Sequence, residues 1–537
     1  MAAVADSQLE ARPLPGRQRG RRPPLGVLAA AIVVAAACAI PIGYLAIVVL
    51  DEPTAAWDAV WRSSTLALLV RSTAFAVAVG AGATALALPL AWLTSRTDLP
   101  LRRLWTVLAT LPLVIPSYIG AYLLVSALGP RGELQGILSP IGVERLPSIY
   151  GFGGAWFVLT LFTYPLVLLP LRAALSRMDP VLEDAARGMG RSEWAVARTV
   201  VLPQLVPAVG AGALLASLYA LSDFGAVSIL RFDSFTRVIY QSYRSSFDRT
   251  GAAALAALLV FVMVGLLLAE SRARRGRTYF RSAPGTARRA RVVPLGRWRW
   301  PALGFCGFVA LLAFILPVAM LFLWSGRSVA GSVASSEVLT ATGNSLLLAA
   351  LAAAFGTAAA LPIAWLGARH PGRRTGLLGA ATTTGYALPG IVVALALVFF
   401  GIRVVPALYQ SLAMLVFALV ILLAPLAVGS SRSAFLQISP RLEEAARGAG
   451  RSPLAVAMGI TLPLARSGIL AGAALIFLAA IKELPAVVLL SPIGFDTLPL
   501  VIWQESTRSY FEAAAIPALV LLAVSAPPLW LLVGKDR

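Results

Sequence analysis

Lysine is almost absent from this chain. Among its 537 residues the only lysines are Lys482 and Lys535. A phosphate-binding loop needs a Gly-rich turn that ends in Gly-Lys followed by Ser or Thr, whereas Ile481 precedes Lys482 and Asp536 follows Lys535. The sequence therefore excludes ATP hydrolysis by a phosphate-binding loop within these residues.

Cysteine and histidine are also scarce, with two cysteines and one histidine. Cys38 and Cys306 each lie inside a long apolar segment, so they suggest neither a disulfide framework nor a cysteine metal site. His370 lies in a short basic loop, and one histidine does not build a ferric or zinc site. We expect this chain to have no catalytic residues, no metal ligands and no bound cofactor.

Charged residues make up only 13% of the chain, and hydrophobic residues make up 59%. Soluble domains have about 25% charged and 45–50% apolar residues. This composition predicts an all-α polytopic membrane protein without a sizeable soluble domain. About twelve segments have the roughly 20 apolar residues that a membrane-spanning helix needs, namely 26–50, 66–94, 103–127, 149–173, 205–229, 251–269, 300–324, 344–367, 376–401, 409–430, 465–490 and 511–533.

The net charge of +21 comes almost entirely from arginine. Cytoplasmic loops are enriched in Lys and Arg, and anionic lipid headgroups on that side supply counter-charge. The placement of the charge therefore predicts a membrane surface, not a nucleic acid, as its partner, and puts both termini in the cytoplasm. The arginines cluster at 12–22, 187–198, 272–299, 369–374 and 441–451.

Two polar segments, 179–203 and 439–463, repeat each other with a constant spacing of 260 residues. The match extends to 88–96 with 361–369 and to 222–227 with 482–487. Each half then contains six predicted spans, so both halves have the same orientation and are related by a pseudo-two-fold axis along the membrane normal. The predicted units are an N-terminal tail (1–25), a first half (26–270), a linker (271–299) and a second half (300–537).

Each polar segment is predicted to fold as a short helix, a turn and a second helix. An N-cap residue and a proline begin the first helix, acidic residues lie in its first turn, and a glycine ends it. A serine then caps the second helix, which a proline closes. The residues at these positions are Asp179, Pro180, Glu183, Asp184, Gly190, Ser192 and Pro203 in the first segment and Ser439, Pro440, Glu443, Glu444, Gly450, Ser452 and Pro463 in the second. The alternative, a loop lying on the membrane, does not account for two matched copies.

Both segments fit the pattern Glu/Asp-Ala-Ala-x3-Gly-x9-Ile/Val-x-Leu-Pro. This pattern resembles the signature of permease subunits of binding-protein-dependent ABC importers, whose coupling helix docks into a groove of the ATPase subunit. The first copy departs from it conservatively, with Asp in place of Glu and Val in place of Ile. The matching residues are Asp184, Ala185, Ala186, Gly190, Val200, Leu202 and Pro203, and Glu444, Ala445, Ala446, Gly450, Ile460, Leu462 and Pro463.

The resemblance implies the type I importer permease fold in a bacterial plasma (inner) membrane. It also implies two copies of a separate ATP-binding subunit, which would carry ATP and Mg, and an external substrate-binding protein. Two halves fused in one chain, with Ser-Asp-Phe-Gly in one and Lys-Glu-Leu-Pro-Ala in the other, most resemble the ferric-iron permeases. Thiamine permeases share the fusion, and permeases for polyamines, sulfate, molybdate or phosphonate are further alternatives.

Three ionisable residues, Asp223, Lys482 and Glu483, lie at the edge of or inside predicted spans, close to Gly225 and Pro485. Such residues are costly in lipid and usually face a bundle interior or a wet cavity. Two interpretations remain open. These residues form an outer gate or the polar lining of a substrate path, or Asp223 and Lys482 form a structural ion pair.

Pro116 and Pro389 occupy matching positions and are candidates for kinks in pore helices, although an ordinary proline-containing span fits equally well. Two remote alternatives concern the whole chain. A facilitator-type secondary transporter also has six-plus-six repeats, but its basic signature belongs between the second and third spans. A membrane-embedded glycosyltransferase would use Asp51 and Glu52, which have no counterpart in the second half.

Overall fold

The computed structural model describes residues 23–130, 132–178, 180–246, 248–274, 292–327 and 335–533. Within these ranges the chain forms helices and no strand, and the only β contact is an isolated bridge between Thr97 and Val293. The predicted N-cap Asp179, most of the N-terminal tail and residues 275–291 of the predicted linker lie outside the described residues.

The first half contains thirteen α-helices: α1 (Leu25–Asp51), α2 (Pro53–Trp61), α3 (Ser63–Arg96), α4 (Arg102–Thr110), α5 (Ser117–Leu128), α6 (Glu133–Leu138), α7 (Phe152–Arg177), α8 (Pro180–Gly188), α9 (Glu193–Val196), α10 (Leu202–Ser222), α11 (Gly225–Ile229), α12 (Phe235–Arg244) and α13 (Arg249–Arg274). A π turn, Ala197–Val201, joins α9 to α10.

The second half contains twelve α-helices, of which α16–α25 follow the order of α3–α13 without a counterpart of α6: α14 (Arg299–Ala310), α15 (Leu316–Arg327), α16 (Ser335–Arg369), α17 (Arg373–Ala387), α18 (Gly390–Val404), α19 (Leu412–Gln437), α20 (Pro440–Gly448), α21 (Pro453–Val456), α22 (Leu462–Ala480), α23 (Pro485–Leu490), α24 (Leu498–Thr507) and α25 (Ala515–Val533). π turns at Leu311–Ile315 and Ala457–Thr461 join α14 to α15 and α21 to α22.

Nine helical segments of the described chain are long and apolar enough to cross a membrane. A tenth candidate is the pair Arg102–Val114 and Ser117–Ile141, whose axes differ by 99°, and two shorter apolar helices are Gly390–Val404 and Ala515–Pro528. Every predicted span thus corresponds to a helical segment, which confirms the polytopic all-α class.

The predicted spans 103–127 and 376–401 are each interrupted, so Pro116 and Pro389 do not lie in ordinary continuous spans. Both segments break immediately before α5 and α18, at Pro116 and Pro389. Proline lacks a backbone N–H and disfavours helical geometry in the preceding residue, so it ends one helix and allows the next to begin. The two prolines therefore stand at helix breaks in matching positions of the halves.

The short helices α5 and α18 form the centre of the molecule. Nearly all side chains are buried over 117–125 in α5 and 391–399 in α18. Around them, α3, α7 and α10 pack together in the first half, and α16, α19 and α22 do so in the second. The long helices are rich in Ala and Gly, and small residues let helix backbones approach closely in lipid.

The leading helix of each half packs against the other half. Helix α1 contacts α16, α17 and α18, while α14 and α15 contact α4 and α5. The ring of Tyr44 lies 5.9 Å from that of Phe400, and the ring of Trp324 lies 6.1 Å from that of Tyr122. This exchange of leading helices interlocks the two halves.

The close packing of the long helices predicts that two matched glycines tolerate no side chain. A Cβ on Gly212 would lie 2.6 Å from Val167 Cα, and one on Gly472 would lie 2.9 Å from Ala427 Cα. We expect Gly212→Ala and Gly472→Ala to destabilise the purified chain by about 1–3 kcal/mol, the usual cost of overpacking. The measurement is thermal unfolding in detergent. Gly210→Ala is the control in the same helix, because a Cβ there meets nothing within 4 Å, and an equal loss in the control would contradict the argument.

Candidate functional site

Both polar segments end their first helix in the same way. Gly190 and Gly450 have φ angles of 80° and 82°. The amides of Arg191 and Arg451 each donate to the carbonyl of an alanine five residues earlier at 3.2 Å, and the glycine amides donate to Arg187 and Arg447. This is the Schellman arrangement, which favours glycine because its backbone is left-handed there. The prediction that these glycines end α8 and α20 is confirmed.

The second helix of each segment begins as predicted but does not end as predicted. The hydroxyls of Ser192 and Ser452 accept from the amides of Ala195 and Ala455 at 3.3 and 3.2 Å. The prediction that a proline closes this helix is wrong, because each π turn leads directly into α10 or α22.

Pro203 and Pro463 are the second residues of α10 and α22. A π turn already disrupts the i→i−4 hydrogen bonds at this point, so the missing proline N–H costs little. Each polar segment is consequently continuous with a membrane span. Leu202 and Leu462 are half-buried in the same first turn.

The first glutamate of each segment, Glu183 or Glu443, faces the spans, not the surface. Glu183 Oε1 lies 3.0 Å from Arg96 Nη1, with side-chain exposures of 5% and 3%. Glu443 Oε1 lies 2.8 Å from Arg369 Nη2, with exposures of 7% and 8%. Arg96 and Arg369 are the last residues of α3 and α16, so each pair joins a polar segment to the end of a long helix.

The surroundings of the two ion pairs differ. Arg187 contacts Glu183 at 3.3 Å and also pairs with Asp184 and Glu193. Arg187 Nε donates to Glu193 Oε1 at 2.9 Å. This hydrogen bond raises the pKa of the Arg187 guanidinium, so this arginine stays charged. In the second segment Pro453 replaces Glu193, and the hydroxyl of Thr461 donates to Glu443 at 3.2 Å.

The outward surface of each segment combines acidic, small and large apolar residues. Of the predicted docking residues, Asp184, Ala185, Glu444 and Ala445 are exposed, Ala186 is buried and Ala446 is half-buried. The exposed large apolar residues are Val181, Leu182, Met189 and Trp194 in the first segment and Leu442, Leu454 and Met458 in the second. Sequence reasoning missed these residues, although Leu182 with Leu442 and Trp194 with Leu454 recur at the repeat spacing.

Asp223 caps a short helix at a break in the chain. The predicted span 205–229 ends at Ser222, and α11 begins at Gly225. Asp223 Oδ1 accepts from the amides of Ala226 and Val227 at 3.0 and 3.2 Å, and its other oxygen accepts from the hydroxyl of Ser117. This carboxylate therefore satisfies the backbone groups that the break frees.

Glu483 occupies the matching break between α22 and α23, so the predicted single span 465–490 is also wrong. The amide of Ala486 interacts with its carboxylate, as that of Ala226 does with Asp223. Its Oε1 is buried with no hydrogen-bond partner among the described residues. Lys482 Nζ donates to the carbonyl of Leu113 in the first half at 3.2 Å. Lys482 and Asp223 form no ion pair, so that alternative is excluded.

The acid-bearing breaks lie against the proline-bearing breaks. A Cβ on Gly390, directly after Pro389, would lie 2.4 Å from Glu483 Oε1 and 3.3 Å from Pro485 Cβ. A Cβ on Gly225 would lie 2.6 Å from Tyr118 Cβ and 3.0 Å from the Leu484 side chain. The candidate path residues of both halves are thus brought together beside α5 and α18.

The family model of the binding-protein-dependent transport system inner membrane component matches this chain twice, at residues 83–275 and 356–533. Each match includes one polar segment. The Fe(3+)-transport system permease protein FbpB 2 of Haemophilus influenzae is 32% identical over 473 residues, which cover 88% of this chain and 88% of the relative.

Two further relatives differ in length. The probable ABC transporter permease protein y4fN of Sinorhizobium fredii is 28% identical over 515 residues, which cover 90% of this chain and 87% of the relative. The molybdenum transport system permease protein ModB of Escherichia coli is 31% identical over 240 residues, which cover 41% of this chain and 98% of the relative. The first similarity spans most of this chain, and the second spans less than half of it.

The geometry at Gly190 and Gly450 predicts a graded response to substitution. A Cβ meets nothing within 4 Å at either position, so only the left-handed backbone opposes a side chain. We expect Gly190→Ala and Gly450→Ala to cost about 1–2 kcal/mol each, and Gly→Asn to cost less, because Asn tolerates this conformation. Amide hydrogen exchange of α8 and α20 measures the effect. Equal protection in the Ala and wild-type chains would contradict it, and Gly188→Ala, which also has open space, is the control.

Proposed function

This chain belongs to the family of inner membrane components of binding-protein-dependent transport systems, and we propose that it is the permease of an ATP-driven importer of ferric iron. The observation that carries the iron assignment is the similarity to the ferric permease of Haemophilus influenzae, which covers 88% of both chains. The similarity to a molybdenum permease covers one half of this chain. Molybdate is therefore the second candidate substrate.

The two polar segments are proposed to be the elements that dock to ATP-binding subunits. Their outward surfaces carry large apolar side chains beside small and acidic ones, and Trp194 and Leu454 are each 73% exposed. Exposed apolar patches rimmed by polar residues mark protein interaction sites. Two equivalent segments suit two copies of one partner, which would bind ATP and Mg, since this chain lacks a phosphate-binding loop.

The face that carries the polar segments is proposed to be cytoplasmic. The Arg-rich clusters 187–198 and 441–451 lie in the polar segments themselves, and the cluster 369–374 begins at the residue that pairs with Glu443. Cytoplasmic loops are enriched in Lys and Arg. Both termini and the linker 271–299 then lie in the cytoplasm of a bacterial cell. The opposite face, which includes the ion pair of Asp51 with Arg403, would receive the external binding protein.

The substrate path is proposed to pass between the two halves beside α5 and α18. The four breaks at Pro116, Pro389, Asp223 and Glu483 meet there, and non-helical backbone at membrane depth is tolerated where it is buried in protein or lines a cavity. Glu483 is the stronger gate candidate, because one of its buried oxygens has no partner among the described residues. Asp223 is fully engaged as a helix cap.

The substrate assignment predicts selective loss of ferric uptake. Deletion of the gene for this chain should abolish uptake of radioactive ferric iron into cells, and the restored chain should recover it. Excess ferric iron should compete, whereas molybdate, sulfate and thiamine should not. Loss of molybdate uptake with normal ferric uptake would overturn the iron assignment and leave the family membership intact.

The different environments of the two acids predict different effects of their removal. Asp223→Ala should lower the stability of the purified chain by about 1 kcal/mol, the typical value of an N-cap. Glu483→Gln should keep the unfolding temperature and reduce uptake several-fold in the reconstituted transporter. Glu337→Gln, which removes an exposed carboxylate of the same half, is the matched control. Normal uptake with Glu483→Gln would show that Glu483 does not belong to the path.

A further inference from the structure

One helix in each half is much longer than a bilayer requires. Helices α3 and α16 contain 34 and 35 residues, which corresponds to about 50 Å at 1.5 Å per residue. Each ends on the arginine, Arg96 or Arg369, that pairs with a buried glutamate of a polar segment. The polar segments are thereby attached to the two longest α-helices of the described chain.

The opposite ends of the same helices hold the loops that follow the acid-bearing breaks. Arg71 Nε of α3 donates to the carbonyl of Asp233 at 3.1 Å, and Asn344 Nδ2 of α16 donates to the carbonyl of Asp496 at 2.9 Å. Arg71 and Asn344 occupy matching positions in the repeat. Each long helix therefore connects one break region on the opposite face with one polar segment.

The Arg–Glu contacts are suited to transmit a displacement. In the second half, Arg369 Nε and Nη2 both donate to Glu443 Oε1, at 3.1 and 2.8 Å, and charge-assisted hydrogen bonds are shorter and stronger than neutral ones. In the first half, Arg96 Nη1 lies 3.0 Å from Glu183 Oε1 as an ion pair, and Arg96 Nη2 donates to the carbonyl of Leu175. Loss of one partner from a buried pair leaves an uncompensated charge, so the pair resists separation. An apolar contact in the same place would let the segment slide along the end of the helix.

The two Arg–Glu pairs differ in the other charged side chains that lie near the glutamate. In the first half Arg187 Nη2 lies 3.3 Å from Glu183 and remains a counter-charge when Arg96 is removed. In the second half the side chain of the equivalent Arg447 donates to the backbone carbonyl of Glu443. Without Arg369, the one remaining hydrogen bond of the Glu443 carboxylate within the described part of the chain comes from the hydroxyl of Thr461.

We propose that Arg96 and Arg369 are positioning residues that make each long helix follow its polar segment, and that the second half depends on Arg369 while the first half has a substitute for Arg96. The proposal rests on the proposed docking role of the polar segments. It adds a specific mechanical link and an asymmetry between two otherwise equivalent halves.

The first test uses the isolated chain in lipid nanodiscs and needs no transport. Arg369→Gln should raise the amide hydrogen exchange of α20 about tenfold, whereas Arg96→Gln should raise that of α8 only about twofold, because exchange reports local opening. Arg432→Gln removes an exposed arginine of α19 that lies beside Gly367, and it should leave both helices unchanged. Equal effects of Arg96→Gln and Arg369→Gln would overturn the asymmetry.

The second test separates transmission from simple stability in the transporter reconstituted with its ATP-binding subunit and binding protein. The double variant Arg369→Gln with Glu443→Gln removes both buried charges, so it should regain wild-type assembly and ATPase activity. We expect ferric uptake per ATP hydrolysed to stay about tenfold below wild type, within the range of typical coupling energies. Arg369→Lys should restore part of that ratio.

Full recovery of uptake per ATP in the double variant would show that the pair is structural only, which would overturn the role in transmission. A wild-type transporter that assembles but imports molybdate in place of ferric iron would refute the substrate assignment. In that case uptake of molybdate per ATP hydrolysed is measured instead, and it still decides whether the Arg–Glu pair transmits the displacement. Failure of the wild-type chain to bind any ATP-binding subunit would refute the docking role and the transmission role together. The exchange experiment would still decide the asymmetry.

Discussion

A chain that breaks inside a bilayer has to satisfy the backbone groups that the break frees, since no water is available to do so. Four breaks surround the centre of this molecule, and each has a local solution. Pro116 and Pro389 remove a donor where the next helix begins, and Asp223 supplies acceptors to the first amides of α11. All four breaks lie beside α5 and α18. These two helices can therefore be buried only if the backbone groups that the breaks free are satisfied.

The halves are held together by elements that cross between them. The leading helices exchange partners, and Lys482 of the second half donates to a carbonyl of the first at the proline break. In lipid the hydrophobic effect does not drive helices together, so close packing and hydrogen bonds have to do so. The exchanged leading helices also pack directly against the central ones, α1 against α18 and α15 against α5.

Sequence reasoning succeeded where a local rule decides the structure. The repeat spacing predicted two matched halves, and the glycine and serine positions predicted the turn within each polar segment, because a left-handed turn and an N-cap depend on a few neighbouring residues. It failed at Pro203 and Pro463, where a π turn accommodates the proline, and at the predicted spans 205–229 and 465–490, where apolar composition conceals a break. Hydropathy reports how apolar a segment is and carries no information on how it bends.

The sequence by itself determined the membrane class, the duplication and the location of the two polar segments, because apolar content, spacing and capping residues are properties of the chain. Only the tertiary structure decided which side of each segment faces outward. Glu183 and Glu443 look like surface residues in the sequence, yet they are buried against Arg96 and Arg369, which lie 87 and 74 residues earlier in the chain. Such a pairing depends on how two helices cross in space, and the order of residues along the chain does not encode that crossing in any local pattern.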